Sequence, residues 1–217
     1  MSNFGCSELR LVNPYEVAFR EARSAVKAHK VLEKAKEYPT LGEAVADCGL
    51  VVGTTSIGHR ALEHPLKRLE LGGKLIARKL ASAPVALLFG SEKFGLSNAD
   101  ISHCHWLMRI PTREAHGSMN LGQAVAVCLY EIVRSPAAAK AEPSLQNVSK
   151  RAAKAGDLER ATALLKEILE QSGYVHERVE GSTELKLRRL IRRMKLNAHD
   201  AEVWLGILRQ IRWKLLS

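Results

Sequence analysis

The 217-residue chain has no apolar run long enough to cross a bilayer. Stretches such as Pro84-Val85-Ala86-Leu87-Leu88-Phe89 fall far short of the roughly 20 residues a transmembrane helix needs. The opening Met1-Ser2-Asn3-Phe4-Gly5-Cys6 has neither a basic stretch nor an apolar core, so it does not read as a secretory signal. Cysteine is scarce: Cys6, Cys48, Cys104 and Cys128 are scattered, with no C-x-x-C pair. That excludes a dense disulfide framework and fits reduced thiols in a cytoplasmic protein. The Walker A and G-x-G-x-x-G phosphate-binding spacings are absent. Acidic residues are outnumbered, 23 against 33 Lys plus Arg, for a net charge of +10 and a pI near 9.6. Such an excess favours a polyanionic partner without identifying it.

What is present is a core-forming composition, 46% hydrophobic, in a length that suits one full domain and a small second one. Glu8-Leu9-Arg10-Leu11-Val12-Asn13 reads as a short strand, and Tyr15 to Tyr38 as one or two helices. A capping box at Thr40-Leu41-Gly42-Glu43 opens a helix to about Asp47. Leu50–Thr54, Val85–Phe89 and His105–Ile110 read as buried strands. A helix spans about Leu69–Ala81, interrupted or started near Gly72-Gly73. A second capping box lies at Ser97–Asp100, and an amphipathic helix at Asn120–Arg134. Strands alternating with helices, apolar on both faces, predict an α/β domain over residues 1–135: a parallel sheet with helices on both faces. Ligands in such sheets bind beyond the carboxyl ends of the strands. The loops Gly53–Gly58, Gly90–Leu96 and Pro111–Asn120 are therefore the candidate site.

Ser135-Pro136 onward is small and featureless, and reads as a linker over 136–156. Residues 157–217 read as a basic all-helical extension, with helices over 157–171, 182–195 and 197–215. From Arg178 to the end there are 10 basic and 4 acidic residues, a net of +6. Lys186, Arg188, Arg189, Arg192, Arg193 and Lys195 form a cationic cluster beside an apolar face of Leu185, Leu187, Leu190, Ile191, Met194 and Leu196. Such a cluster is either a solvated helix face or a phosphate-backbone contact surface.

Each candidate loop also has a plain structural reading. Gly90-Ser91-Glu92-Lys93-Phe94-Gly95-Leu96 sets two glycines around a lone glutamate, and an ordinary β–α turn would look similar. Gly117-Ser118-Met119-Asn120 starts a helix, where free N–H groups bind anions and where Ser118 or Asn120 could simply cap. His103-Cys104-His105 suits no standard zinc site, because neighbours on a strand point to opposite faces. His59, His64 and His116 are isolated, and only His116 lies in a candidate loop.

Taken in order, Leu50-Val51-Val52-Gly53-Thr54-Thr55-Ser56, Leu88 to Leu96, and Ile110-Pro111 through Ser118-Met119-Asn120-Leu121-Gly122-Gln123-Ala124-Val125 resemble the SPOUT class of RNA methyltransferases. The resemblance is to its TrmH/SpoU family and, within it, to the TrmJ-type tRNA 2′-O-ribose methyltransferases. Asp200–Arg209 also looks like the helical extension of that type. The resemblance implies a C-terminal trefoil knot, a feature otherwise close to absent from folds. It implies S-adenosylmethionine as cofactor, held by Thr54, Thr55, Ser56, Gly90, Ile110, Gly117, Ser118 and Met119. Asn120, Glu92 and Ser118 would stand at the reacting groups, and Lys186, Arg188, Arg189, Arg192 and Arg193 would grip RNA. It further implies a homodimer, a tRNA substrate modified in the anticodon loop, no metal and no membrane.

Family members usually open with an Asn-x-Gly…Arg block before a segment like Phe4–Val12, and that arginine is their principal catalytic residue. Met1 falls after the block, and Arg10, Arg20 and Arg23 do not sit at the motif position. If this chain is the whole protein, the expectation is weak or absent methyl transfer with cofactor binding retained; a misassigned start would restore the block. A catalytically impaired RNA-binding protein on the same fold is the competing reading, and an unrelated α/β nucleotide-binding enzyme the third.

Overall fold

Side chains alternate along β3 (Leu50–Thr54), so Val51 enters one face of a sheet and Val52 the other, and both are fully buried. This computed structural model describes residues 1–14, 29–56, 64–113, 119–134, 151–175 and 180–216. Strand β3 pairs in parallel with β5 (Val85–Leu88), Val52 opposite Leu87, and with β6 (Trp106–Arg109), Gly53 opposite Leu107. Strand β6 in turn pairs in parallel with β4 (Leu66–Arg68), giving the order β4-β6-β3-β5. On one face Val51 and Leu107 pack with Val45, Cys48, Leu96, Ile101 and Cys104. On the other, Val52, Trp106 and Met108 meet α3 (Leu69–Leu80) and α5 (Leu121–Val133) through Leu69, Ile76, Ala77, Cys128 and Ile132. Helices thus cover both faces, as the strand composition predicts. Each fully buried aliphatic side chain contributes about 1.5–3 kcal/mol.

Helix α3 is continuous through Gly72-Gly73, contrary to the expected interruption. Both glycines are buried, and the reason is proximity. A Cβ on Gly72 would stand 2.6 Å from Met108 Sδ, and one on Gly73 3.0 Å from Glu131 Cγ. Bare backbone here lets α3 sit tightly on β6 and α5.

Two strands escape the sequence reading. Strand β4 carries no signal, and β2 (Lys36–Tyr38) lies in a stretch expected to be helical. Of that stretch, residues 15–28 lie outside the described set, and α1 (His29–Glu33) is a single short helix. Strand β2 pairs in parallel with β1 (Arg10–Val12) as a separate two-stranded sheet. Its polar residues make no hydrophobic period, so the pairing partner decides its conformation. Arg10 ties this sheet to the main domain. Its guanidinium donates to Ala44 O at 2.6 Å, at the end of α2 (Leu41–Ala44), and to Asp47 Oδ2 at 2.9 Å. That hydrogen bond holds the Asp47 carboxyl down at about 2.

The C-terminal helices α6 (Ala155–Gln171), α7 (Glu180–Arg193) and α8 (Ala198–Leu216) share a core of Leu158, Ala161, Ile168, Ile191, Ala201, Leu205 and Leu208. Residues 136–150 of the expected linker lie outside the described set. Its last residues are engaged: Ala153 N–H donates to Leu196 O, Ala155 N–H to Cys48 O and Gly156 N–H to Ala46 O. The last two bonds seat the start of α6 on the α/β domain, and Ala155 joins its core.

His103 and His105 lie between α4 (Asn98–Ser102) and β6, in partly buried positions. Burial, with the positive charges of Arg188 and Arg192, lowers His103 to about 4; burial, with those of Arg192 and Lys79, lowers His105 to about 3. His105 Nδ1 accepts the Val51 N–H at 3.1 Å, which a protonated ring could not do. The unfolded chain protonates near 6.5, so it takes up protons first on acidification. Stability is therefore full above about pH 6.5 and falls as pH drops towards 4. With both histidines contributing, we expect a loss of about 3–4 kcal/mol between pH 7 and 5 in urea unfolding. A His103→Asn/His105→Asn variant should show a flatter pH profile over that interval.

Candidate functional site

Parallel strands end on the same edge, so β3, β5 and β6 deliver three loops to one place. Two hydrogen bonds fix these ends to each other. Thr54 Oγ1 donates to Leu88 O at 2.8 Å, tying β3 to β5, and Thr55 N–H donates to Met108 O at 2.9 Å, tying β3 to β6. Ser56 is exposed just beyond, with its carbonyl accepting from Thr55 Oγ1 at 2.9 Å. Ile110 follows β6 and packs against the α3–α5 core, fixing where the third loop starts.

The loop after β5 is a closed turn. Ser91 and Gly95 bridge across it, with Gly95 N–H donating to Ser91 O at 2.8 Å and Phe94 N–H to Ser91 Oγ at 3.1 Å. Gly95 has φ +68°, in the left-handed region that favours glycine. A Cβ on Gly90 would lie 1.9 Å from Gly95 C, so only glycine lets the two limbs touch. Leu96, buried in the core, anchors the exit.

The third loop meets this turn through side chains. Asn120 is the N-cap of α5, its Oδ1 accepting from Gln123 N–H at 3.3 Å. Its Nδ2 donates to Glu92 Oε1 at 2.9 Å, across 28 residues of sequence. The cap fixes which way the amide faces, and the amide then fixes the carboxylate. Asn120 therefore combines the capping role and a link between the two loops. Met119 is half-buried beside it, whereas Gly117 and Ser118 lie outside the described residues, as do 57–63. Thr54, Thr55, Ser56, Gly90, Glu92, Ile110, Met119 and Asn120 all stand at this carboxyl edge.

The basic cluster of α7 requires a correction. Arg188 and Arg192 are 7% and 3% exposed, so they do not belong to a solvated face. Arg188 donates to Glu159 Oε1 and Glu184 Oε1 at 2.6 and 2.7 Å, and to Ser102 Oγ at 3.2 Å on α4. Arg192 faces Glu159 at 3.6 Å and is lowered to about 10 by burial. The cause is helical periodicity: positions 188 and 192 share the inward stripe with Leu187 and Ile191. Lys186 and Arg193 point outward, with Arg189 half-buried between them. Glu159 was not singled out from sequence; its only signal is an acid three residues from the apolar stripe position Thr162. The groove beside it, about 910 Å³ and lined by Thr40, Glu43, His103, Glu159, Arg160 and Arg188, lies at the amino edge of the sheet, opposite the candidate site.

Comparison with known proteins bears on this arrangement. The model of the SpoU rRNA Methylase family matches residues 1–130. Over 221 residues the chain is 35% identical to the tRNA (cytidine/uridine-2′-O-)-methyltransferase TrmJ of Yersinia pestis (strain Pestoides F), covering 97% of this chain and 83% of that protein. The TrmJ of Sodalis glossinidius (strain morsitans) is 35% identical over 214 residues, with the same coverage. Among solved structures, TrmJ from Z. mobilis ZM4 superposes with a TM-score of 0.80 at 28% identity, covering 97% of this chain and 89% of that one. A putative methylase family protein from Neisseria gonorrhoeae gives 0.61 at 29% identity, covering 75% and 83%.

The turn makes a direct prediction. Gly90→Ala forces backbone against backbone and is expected to cost about 1–3 kcal/mol in denaturant unfolding. Gly206→Ala, at an open position of α8 with nothing within 4 Å, is expected to gain up to about 1 kcal/mol in the same measurement.

Proposed function

The chain belongs to the SpoU rRNA methylase family of RNA methyltransferases, and from that premise we propose that it transfers a methyl group from S-adenosylmethionine to a tRNA ribose 2′-hydroxyl, in the anticodon loop. The observation that carries this reading is the Glu92–Asn120 hydrogen bond, which joins two of the three strand-end loops at the carboxyl edge. Family membership also implies the trefoil knot, a homodimer and a cytoplasmic setting. No helix of the described residues is long and apolar enough to cross a membrane.

The residues fit the cofactor. Hydroxyls at Thr54, Thr55 and Ser56, glycine backbone at Gly90 and the neutral main chain at Ile110 and Met119 are donors and acceptors suited to an uncharged nucleoside. Glu92 supplies a carboxylate suited to a cationic sulfonium. Gly117 and Ser118 complete the set by resemblance. When bound, the cofactor supplies an already activated methyl group, so the protein's task is alignment and removal of one proton.

Within that task the chain's residues divide. Thr54 and Thr55 hold the ends of β3, β5 and β6 in register through their bonds to Leu88 O and Met108 O. Asn120, held by its cap bond, holds Glu92 by hydrogen bonding, and on this reading the pair stands at the ribose side of the site. That pair orients the 2′-hydroxyl by hydrogen bonding and excludes random rotation of the sugar. A hydroxyl is a poor nucleophile until its proton is accepted, and Ser118 and Glu92 are the polar groups assigned near it. Lys186 and Arg193, on the outward face of α7, meet the tRNA backbone, with Arg189 beside them.

Incubation of the chain with tritiated S-adenosylmethionine and tRNA tests the reading: label on ribose, mapped as 2′-O-methyl, supports it, and substantial turnover would overturn the expectation of weak transfer drawn from the motif arginine. Retained tRNA binding with no transfer would instead favour the RNA-binding reading. Asn120→Ala is expected to lower turnover at least about tenfold while costing about 1 kcal/mol of stability, the usual loss of a cap. A Lys186→Glu/Arg193→Glu variant should weaken tRNA binding and lower the salt slope by about one for each phosphate no longer neutralised. Unchanged affinity and slope would leave those side chains merely solvated.

A further inference from the structure

We propose that Phe94 is a nucleobase-stacking residue that positions the target nucleotide or its neighbour at the site, an inference that rests on the tRNA reading above. Phe94 is 73% exposed, the most exposed of the large hydrophobic side chains among the described residues of the α/β domain. Exposure of a lone apolar side chain is ordinary in itself. Its setting is not. The side chain stands on a turn closed by the Ser91–Gly95 bridge, its own N–H is bonded to Ser91 Oγ, and Gly90 and Leu96 pin the limbs. An exposed ring therefore has its backbone held before any partner arrives, which lowers the ordering cost of binding.

Position and charge add to this. Glu92, two residues earlier on the same turn, is bonded to Asn120, so the turn that displays Phe94 is the turn that bears the site's carboxylate. Lys93 Nζ lies 5.1 Å from the Phe94 ring centroid. One ring face thus carries a cation, and the ring's exposure leaves room for a flat π-system to stack on it. A base on that face and a phosphate on Lys93 form the pair of contacts that single-stranded RNA offers and a folded protein surface does not. A 2′-hydroxyl within a stacked loop is hard to reach. Stacking the displaced base on a fixed ring holds its ribose out of the loop, in front of Glu92 and Asn120. Phe94 acts as a positioning residue: it moves no proton.

The test compares Phe94→Ala, Phe94→Leu and Phe94→Trp in the full-length protein, using an unmodified tRNA transcript. For Phe94→Ala we expect about a tenfold rise in tRNA KM, and in tRNA Kd by filter binding, the usual size of one base–aromatic stack. Phe94→Leu should lose as much, because it keeps apolar area without a π-face, and Phe94→Trp should restore binding to within about twofold of the unaltered protein. Affinity for S-adenosylmethionine by calorimetry should not move in any variant. A Phe94→Leu protein as good as the unaltered one, or a Phe94→Ala protein with unchanged KM and Kd, overturns the stacking role. So does a Phe94→Ala protein whose oligomeric state changes in sedimentation, since the ring would then be a subunit contact. If the unaltered chain neither binds nor methylates tRNA, the functional reading itself fails, a result distinct from any of these and equally fatal to the proposal.

Discussion

Parallel pairing of β3 with both β5 and β6 is the constraint on which the rest depends. Val51 and Val52 are each fully buried, on opposite faces, so β3 cannot slip by one residue without exchanging the two cores. Once the register is held, Thr54 falls beside Leu88 and Thr55 beside Met108. The carboxyl ends then coincide, and three loops distant in sequence share one edge. The site is a consequence of strand direction. Antiparallel pairing would scatter the same loops to both ends of the sheet.

A second constraint links the two parts of the molecule. Arg188 reaches from α7 to Ser102 on α4, while Glu159 and Glu184 hold its remaining donors. Removing one member of such a network leaves another buried charge, so these contacts specify how the helices sit more than they add stability. The amino end of α6 reinforces the arrangement through Cys48 O and Ala46 O. The basic extension thus spends two of its arginines on its own seat. Its outward charge is smaller than the net of +6 in its last 40 residues suggests.

Much of the framework is readable from residue order. Leu50–Thr54 reads as a strand over the same residues that form β3, and β5 and β6 are recovered within a residue or so, because buried parallel strands are β-branched or apolar on both faces. The capping boxes at Thr40 and Ser97 mark helix starts because capping is a local hydrogen bond. Strands β2 and β4 stay hidden, since Lys36–Tyr38 and Leu66–Arg68 owe their conformation to a partner strand. Gly72-Gly73 suggested a break for the same reason: nothing local tells that Met108 and Glu131 press against them.

Motif order along the chain was enough to identify the family and name the loops, because each loop's glycines, hydroxyls and acid are encoded within a few residues. Folding decided the relations between distant residues. It bonded Asn120 to Glu92, turned Arg188 and Arg192 inward towards Glu159, and left Phe94 exposed on a rigid turn. Local chemistry is written in neighbouring residues, whereas burial and pairing are properties of surfaces that exist only once the chain has closed on itself. The division shows most clearly on α7, where neighbouring residues differ: Arg192 is buried facing Glu159, and Arg193 faces water.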